Sequence, residues 1–140
     1  MKPTTGVQRV ARLCWERSGT HSFFFHYTQA DLADAIFDEQ RFLVPVRPDS
    51  HGCGLYVTNI KPGSQPDDFI LKTLFALGRD VLAIEGVVVL TSDSLPFRRI
   101  AAHSFLHAAP GGTTLDLGGV LVGSGRRDRG TWRWTVGAFT

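Results

Sequence analysis

Between Phe23 and Val46 the apolar positions change period twice. Ser22 to Tyr27 is short, aromatic and bounded by Gly19 and Thr28, which predicts a buried strand. Thr28 has the side chain of a helix N-cap. It precedes "QADLADAIFDEQ", where Leu32, Ala35 and Ile36 fall on one helical stripe. Asp31 and Asp34 sit in the first turns, where negative charge suits the helix dipole. Phe42 to Val46 returns to an extended pattern and stops before Pro48.

"RPDSHGCG" reads as a loop and "LYVTNI" as the strand after it. "KPGSQPDD" is a second loop, with Asp67 or Asp68 placed to cap a helix running to Leu77. "DVLAIEGVVVL" is the most strand-like stretch of the chain, with Gly86 as a candidate bulge. "RRIAAHSFLHA", "TLDLGGVLVG" and "TWRWTVGAF" predict further strands joined by turns rich in glycine and proline. "VQRVARLCW", near the start, fits a short strand or a helical turn. The series is α+β, mostly antiparallel, with helices on the outer faces.

Composition narrows this picture. A chain of 140 residues is one domain, expected to span 1–140. With 43% apolar and 20% charged residues it builds a core and is not disordered. Fifteen glycines fit frequent turns, and ten phenylalanines make the core aromatic. A net charge of +2 is too small to argue for nucleic acid. Cys14 and Cys53 form neither a disulfide framework nor a zinc ligand set. The N-terminal stretch lacks the apolar core of a signal peptide, and nothing in the sequence is long enough to span a membrane. Action in a cytoplasm, without a membrane partner, is the expectation.

His26 and Tyr27 stand at the mouth of the first strand. A strand-end histidine offers a donor and an acceptor to a ligand. In "HGCGLYVT", Gly52 and Gly54 allow close backbone approach, and Tyr56 offers a face that stacks on planar rings. Either feature alone is more often structural. His103 and His107 share a face in helix or strand but lack a third ligand. "RRDRGTWRW" mixes basic and aromatic residues as nucleic-acid surfaces do, although an amphipathic strand explains it better. Cys53 has no base beside it in sequence.

Together, "FFFHYTQADLADAIFDEQRFLVP" and "GCGLYVTNIKPGS" resemble the ADP-ribosyltransferase superfamily. The likeness is to its small toxin and effector branch, whose site combines histidine, tyrosine and an acid. The poly(ADP-ribose) polymerases share the outline. The match is good from Phe23 to about Ser64, loose to Leu90 and slight beyond. It implies a split antiparallel β core flanked by short helices, with NAD⁺ bound between the halves as substrate and no metal. By the resemblance His26 holds a ribose hydroxyl, the Tyr27 backbone meets the nicotinamide carboxamide, and Tyr56 stacks on the ring beside Gly54. Phe69 supplies the second aromatic face. The acid is Glu85 or Asp116, and Arg98 and Arg99 are candidate partners of the pyrophosphate. The implied activity is a mono-ADP-ribosyltransferase, cleaving the nicotinamide–ribose bond and passing ADP-ribose to a macromolecule. A protein acceptor is expected first, with nucleic acid left open. An NAD⁺ glycohydrolase and an inactive binding domain are the alternatives, since no E-x-E or Q-x-E pair is present.

Overall fold

A computed structural model describes residues 23–47, 51–76, 78–91 and 95–136. "VQRVARLCW" and Ser22 lie outside them. The first strand, β1 (Phe23–Thr28), leads into helix α1 (Ala30–Glu39) and short β2 (Arg41–Leu43). Then come β3 (Gly54–Thr58), helix α2 (Asp67–Phe75) and a single 3₁₀ turn, Val81–Ile84. The remaining strands are β4 (Gly86–Thr91), β5 (Arg98–Ala101), β6 (Ser104–Ala108), β7 (Thr114–Asp116), β8 (Leu121–Asp128) and β9 (Thr131–Val136). The coarse expectation of α+β with antiparallel pairing holds. Among the described residues no helix is long and apolar enough to cross a membrane.

Seven strands form one sheet in the order β5-β6-β3-β1-β4-β8-β9, and β2 pairs with β7 as a separate ribbon. The interior strand β4, beside the central β1, is valine-rich and buried on both faces, which is why its run is continuously apolar. Its even and odd positions feed two cores. Val87 and Val89 join Phe25, Tyr27, Ile60, Ile70, Leu71 and Ile84 on one face. Val88 and Leu90 join Phe24, Ala33, Phe42, Leu55, Val57 and Leu117 on the other. Thus α2 covers the first face, while α1 and the β2–β7 ribbon cover the second.

Several local expectations change. Thr28 is the last residue of β1, opposite Gly86, so Gln29 stands at the helix N-cap and no side chain caps it. The buried stripe of α1 is Ala33 with Ile36 and Phe37, and Leu32 stays 52% exposed. Pro66 occupies the N-cap of α2, with Asp67 and Asp68 in the first turn. "DVLAIEGVVVL" is not one strand. Asp80 accepts the Leu82 N–H at 3.0 Å, and this cap winds Val81–Ile84 into the 3₁₀ turn. The irregularity in β4 lies between Val89 and Leu90, not at Gly86. Gly86 is a close-approach residue instead: a Cβ there would sit 2.6 Å from the Gln29 carbonyl.

The decisive feature is the join at the sheet's middle. β1 pairs with β4 over its whole length, and β3 pairs with β6 over its whole length. Between β1 and β3 a single ladder pair, Phe25 with Thr58, connects the two halves. On either side of it no ladder pair joins β1 to β3 among the described residues. Ladder hydrogen bonds contribute about 1 kcal/mol each, whereas a fully buried large apolar side chain contributes about 1.5–3 kcal/mol. Side chains from strands of both halves share the second core, and Ile60, just after β3, joins the first, so apolar burial keeps the fork together.

Gly54 shows how closely β3 is set against β6. A Cβ at this position would lie 2.2 Å from the His107 carbonyl oxygen and 2.8 Å from a Leu106 methyl. Gly54→Ala is expected to lower stability by about 2–3 kcal/mol, measured as a fall in the urea midpoint. Gly52→Ala meets nothing within 4 Å but has φ +102°, and is expected to cost about 1 kcal/mol through backbone strain alone.

Candidate functional site

The fork between β1 and β3 gathers the polar side chains predicted from sequence. His26 is one residue past the joining pair. Its Nδ1–H donates to the Tyr56 carbonyl across the gap at 2.7 Å. Where a ladder would place a backbone donor, a side chain takes its role. The imidazole is half-buried, with its ring against the Phe42 ring at 5.2 Å and 76°. Burial holds His26 below its ordinary pKa of 6.5, and the bond to Tyr56 offsets part of that. The ring is therefore neutral near pH 7. With Nδ1 carrying the proton, Nε2 is a lone-pair acceptor, and it has no protein partner among the described residues.

Tyr27 ties β1 to the chain after β3 from the opposite face, on the other side of the joining pair. Its side chain is 5% exposed, and its hydroxyl donates to the Ile60 carbonyl, beyond the end of β3, at 2.9 Å. Burial pushes the phenol well above its usual range; Arg127 partly counters this and Asp67 reinforces it. The backbone of Tyr27 lies in the β1–β4 ladder opposite Val87.

Tyr56 is half-buried, and its hydroxyl donates to the Gly52 carbonyl at 2.5 Å. The tyrosine thus ties down the glycine loop. Alternation along β3 sends Tyr56 to the face opposite Leu55 and Val57. His26 leaves β1 on the Phe24 face, with Leu55 and Val57. So the two side chains depart on opposite faces, and they meet where the imidazole reaches the Tyr56 carbonyl. Gly54 approaches β6; that internal contact alone accounts for the glycine.

The remaining candidates are dispersed. Phe69, on α2, is 38% exposed and lies edge-on to His103 at 5.9 Å. Glu85 is half-buried in the turn before β4, one residue past the Gly86–Thr28 pair. Its carbonyl accepts the Arg127 N–H at 2.8 Å. Asp116 is exposed on β7, where its Oδ1 accepts the Gly118 N–H at 2.9 Å. His103 and His107 are anchored apart: Nδ1 of the first meets Asn59 Oδ1 at 3.0 Å, and Nδ1 of the second meets the Pro96 carbonyl at 3.1 Å. Among the described residues no three His, Cys, Asp or Glu side chains are grouped to hold a metal. Arg99 donates to the carbonyls of Ala101 and Ala102 and lies over Phe105, so it serves its own hairpin.

The basic-aromatic segment is the β8–β9 hairpin. Arg126 pairs with Asp31 and Asp34, Arg127 with Asp67, and Arg133 with Asp128. Trp132 and Trp134 stack at 5.7 Å, and Trp134 lies close over Gly125. The residue that sequence reasoning missed is Phe42. Its strand was legible, but which side chain would meet His26 depends on the fold. No protein-family model, curated protein or solved structure matches the chain.

The depressed pKa of His26 has a consequence for stability. The unfolded chain takes up this proton near pH 6.5, and the folded chain resists until lower pH. The contribution of His26 is therefore complete above about pH 6.5 and lost as pH falls toward the folded pKa. Urea midpoints at about pH 7.5 and pH 5.5 should fall more in the wild type than in His26→Gln. Equal slopes would show that His26 titrates freely in the native state.

Proposed function

We propose that the chain binds NAD⁺ in the gap between β1 and β3, breaks its nicotinamide–ribose bond and transfers ADP-ribose to a macromolecular acceptor. The observation that carries this is the fork, with one joining pair and a neutral histidine whose Nε2 has no protein partner among the described residues. It supports the reading because the ADP-ribosyltransferase resemblance implies a slot between two halves of a β core, with histidine on one wall.

In this reading the Nε2 of His26 accepts a ribose hydroxyl. The nicotinamide ring enters the gap, where a flat guest meets groups from both sheet faces. The backbone near Tyr27 meets the carboxamide, and Tyr56, which leaves β3 on the other face from His26, reaches the ring only from the far side of the gap. Leaving of neutral nicotinamide builds positive charge on the ribose, which a nearby carboxylate stabilises. Glu85 fits that role better than Asp116. It stands at the β4 end beside the end of β1, whereas Asp116 is engaged with its own turn on the separate ribbon. Water in place of the acceptor gives hydrolysis through the same steps.

The test is release of nicotinamide from NAD⁺, with and without a cell lysate. Release with NAD⁺ alone identifies hydrolysis, and release that needs lysate identifies transfer. Glu85→Gln is expected to lower release at least about a hundredfold with NAD⁺ binding retained, and Asp116→Asn to leave it unchanged. Tyr56→Ala is expected to weaken NAD⁺ binding by about 1 kcal/mol, near fivefold. A wild-type chain that binds NAD⁺ without releasing nicotinamide is a binding domain, and one that does not bind it at all removes the proposal.

A further inference from the structure

Among the described residues the imidazole of His26 has one hydrogen bond, at Nδ1. A single bond fixes one atom of an imidazole but leaves the plane of the ring loosely set, because the last histidine torsion is broad. Direction matters for a ligand at Nε2, since a lone pair accepts along one line in the ring plane. A second contact is required to hold that plane. It comes from the ribbon outside the main sheet, where Phe42 meets the imidazole at 76°.

Phe42 is itself firmly held. It is 8% exposed and pairs with Leu115 across the ribbon. The ribbon is pinned at both ends: Leu117 N–H donates to the Gln40 carbonyl at 2.8 Å, Val44 N–H to Thr113 at 2.9 Å, and Gly112 N–H to Val44 at 2.8 Å. We propose that Phe42 is a positioning residue for His26, holding the imidazole so that Nδ1–H reaches Tyr56 and Nε2 faces the gap. The ribbon is then part of the binding site and more than a cover for the core. Only the ligand-binding half of this claim rests on the NAD⁺ reading.

The experiment compares the wild type with Phe42→Leu, Phe42→Tyr and Val44→Ala. Val44 is fully buried on the same ribbon and in the same core, so its truncation reports loss of packing without loss of the ring. Nitrogen-15 NMR of the histidine rings should show a slowly exchanging Nδ1–H of His26 in the wild type. Phe42→Leu should lose that signal to exchange, and Phe42→Tyr and Val44→Ala should keep it. NAD⁺ affinity should fall about tenfold in Phe42→Leu and stay within about twofold in the other two. A sharp, unshifted Nδ1–H in Phe42→Leu overturns the proposal, as does equal loss of that signal in Val44→Ala. If the wild type binds no NAD⁺, the functional reading fails and the NMR comparison alone decides the role of Phe42.

Discussion

The molecule depends on a sheet that is joined at its centre by one ladder pair. β1 is committed to β4 along its length and β3 to β6 along its length, and only Phe25 and Thr58 connect the two ladders. A gap in a sheet leaves backbone polar groups without ladder partners, and these must be satisfied some other way. Here side chains do it. His26 reaches the Tyr56 carbonyl and Tyr27 reaches the Ile60 carbonyl. The pair that looked conspicuous in the sequence ties β1 to the β3 segment on either side of the joining pair, one ring on each face.

Apolar contact above and below the gap makes such an opening tolerable. The second cluster contains strand residues from both half-sheets, and the first joins β1 and β4 to Ile60, just after β3, and to α2, so separating the halves would expose apolar surface on both faces. Ion pairs add little to this. Arg126, Arg127 and Arg133 meet their aspartates at the perimeter, mostly with one partner well exposed, where such pairs are worth about 0–1 kcal/mol. They select which helix face lies on which strand. Arg126 seats the start of α1 on β8, and Arg127 fastens α2 to the same strand.

The sequence carried the periodic parts of this architecture well. The aromatic run through Phe23–Tyr27 and the valine run of β4 are strong because each strand has a core on both sides. The helix after Thr28 was legible from its spacing, but its buried stripe was offset: Ala33 is the residue fully enclosed, and small size rather than hydrophobicity put it there. Glu85 was read into a strand because Val81–Ile84 is apolar. Asp80, a short side chain that caps by bonding locally, decided otherwise. The fork left no trace in the local pattern, since which strands pair and where pairing ends are non-local facts. Phe42 was hidden for the same reason, being an ordinary strand phenylalanine until the ribbon lands against His26.

The neutral state of His26 also bears on what kind of guest the gap suits. A charged imidazolium would offer donors at both nitrogens and would repel a cation. The buried imidazole, with its proton engaged by Tyr56, offers only an acceptor. It therefore favours a hydroxyl or N–H on the guest and places no positive charge beside it. The proposed guest, NAD⁺, would satisfy both conditions, because its ribose hydroxyls are donors and its nicotinamide ring carries positive charge. An anionic group at Nε2 would find a lone pair facing it and would be disfavoured. On the proposed NAD⁺ reading the phosphates would lie away from His26, and the histidine would discriminate by refusing negative charge as much as by accepting a hydrogen bond.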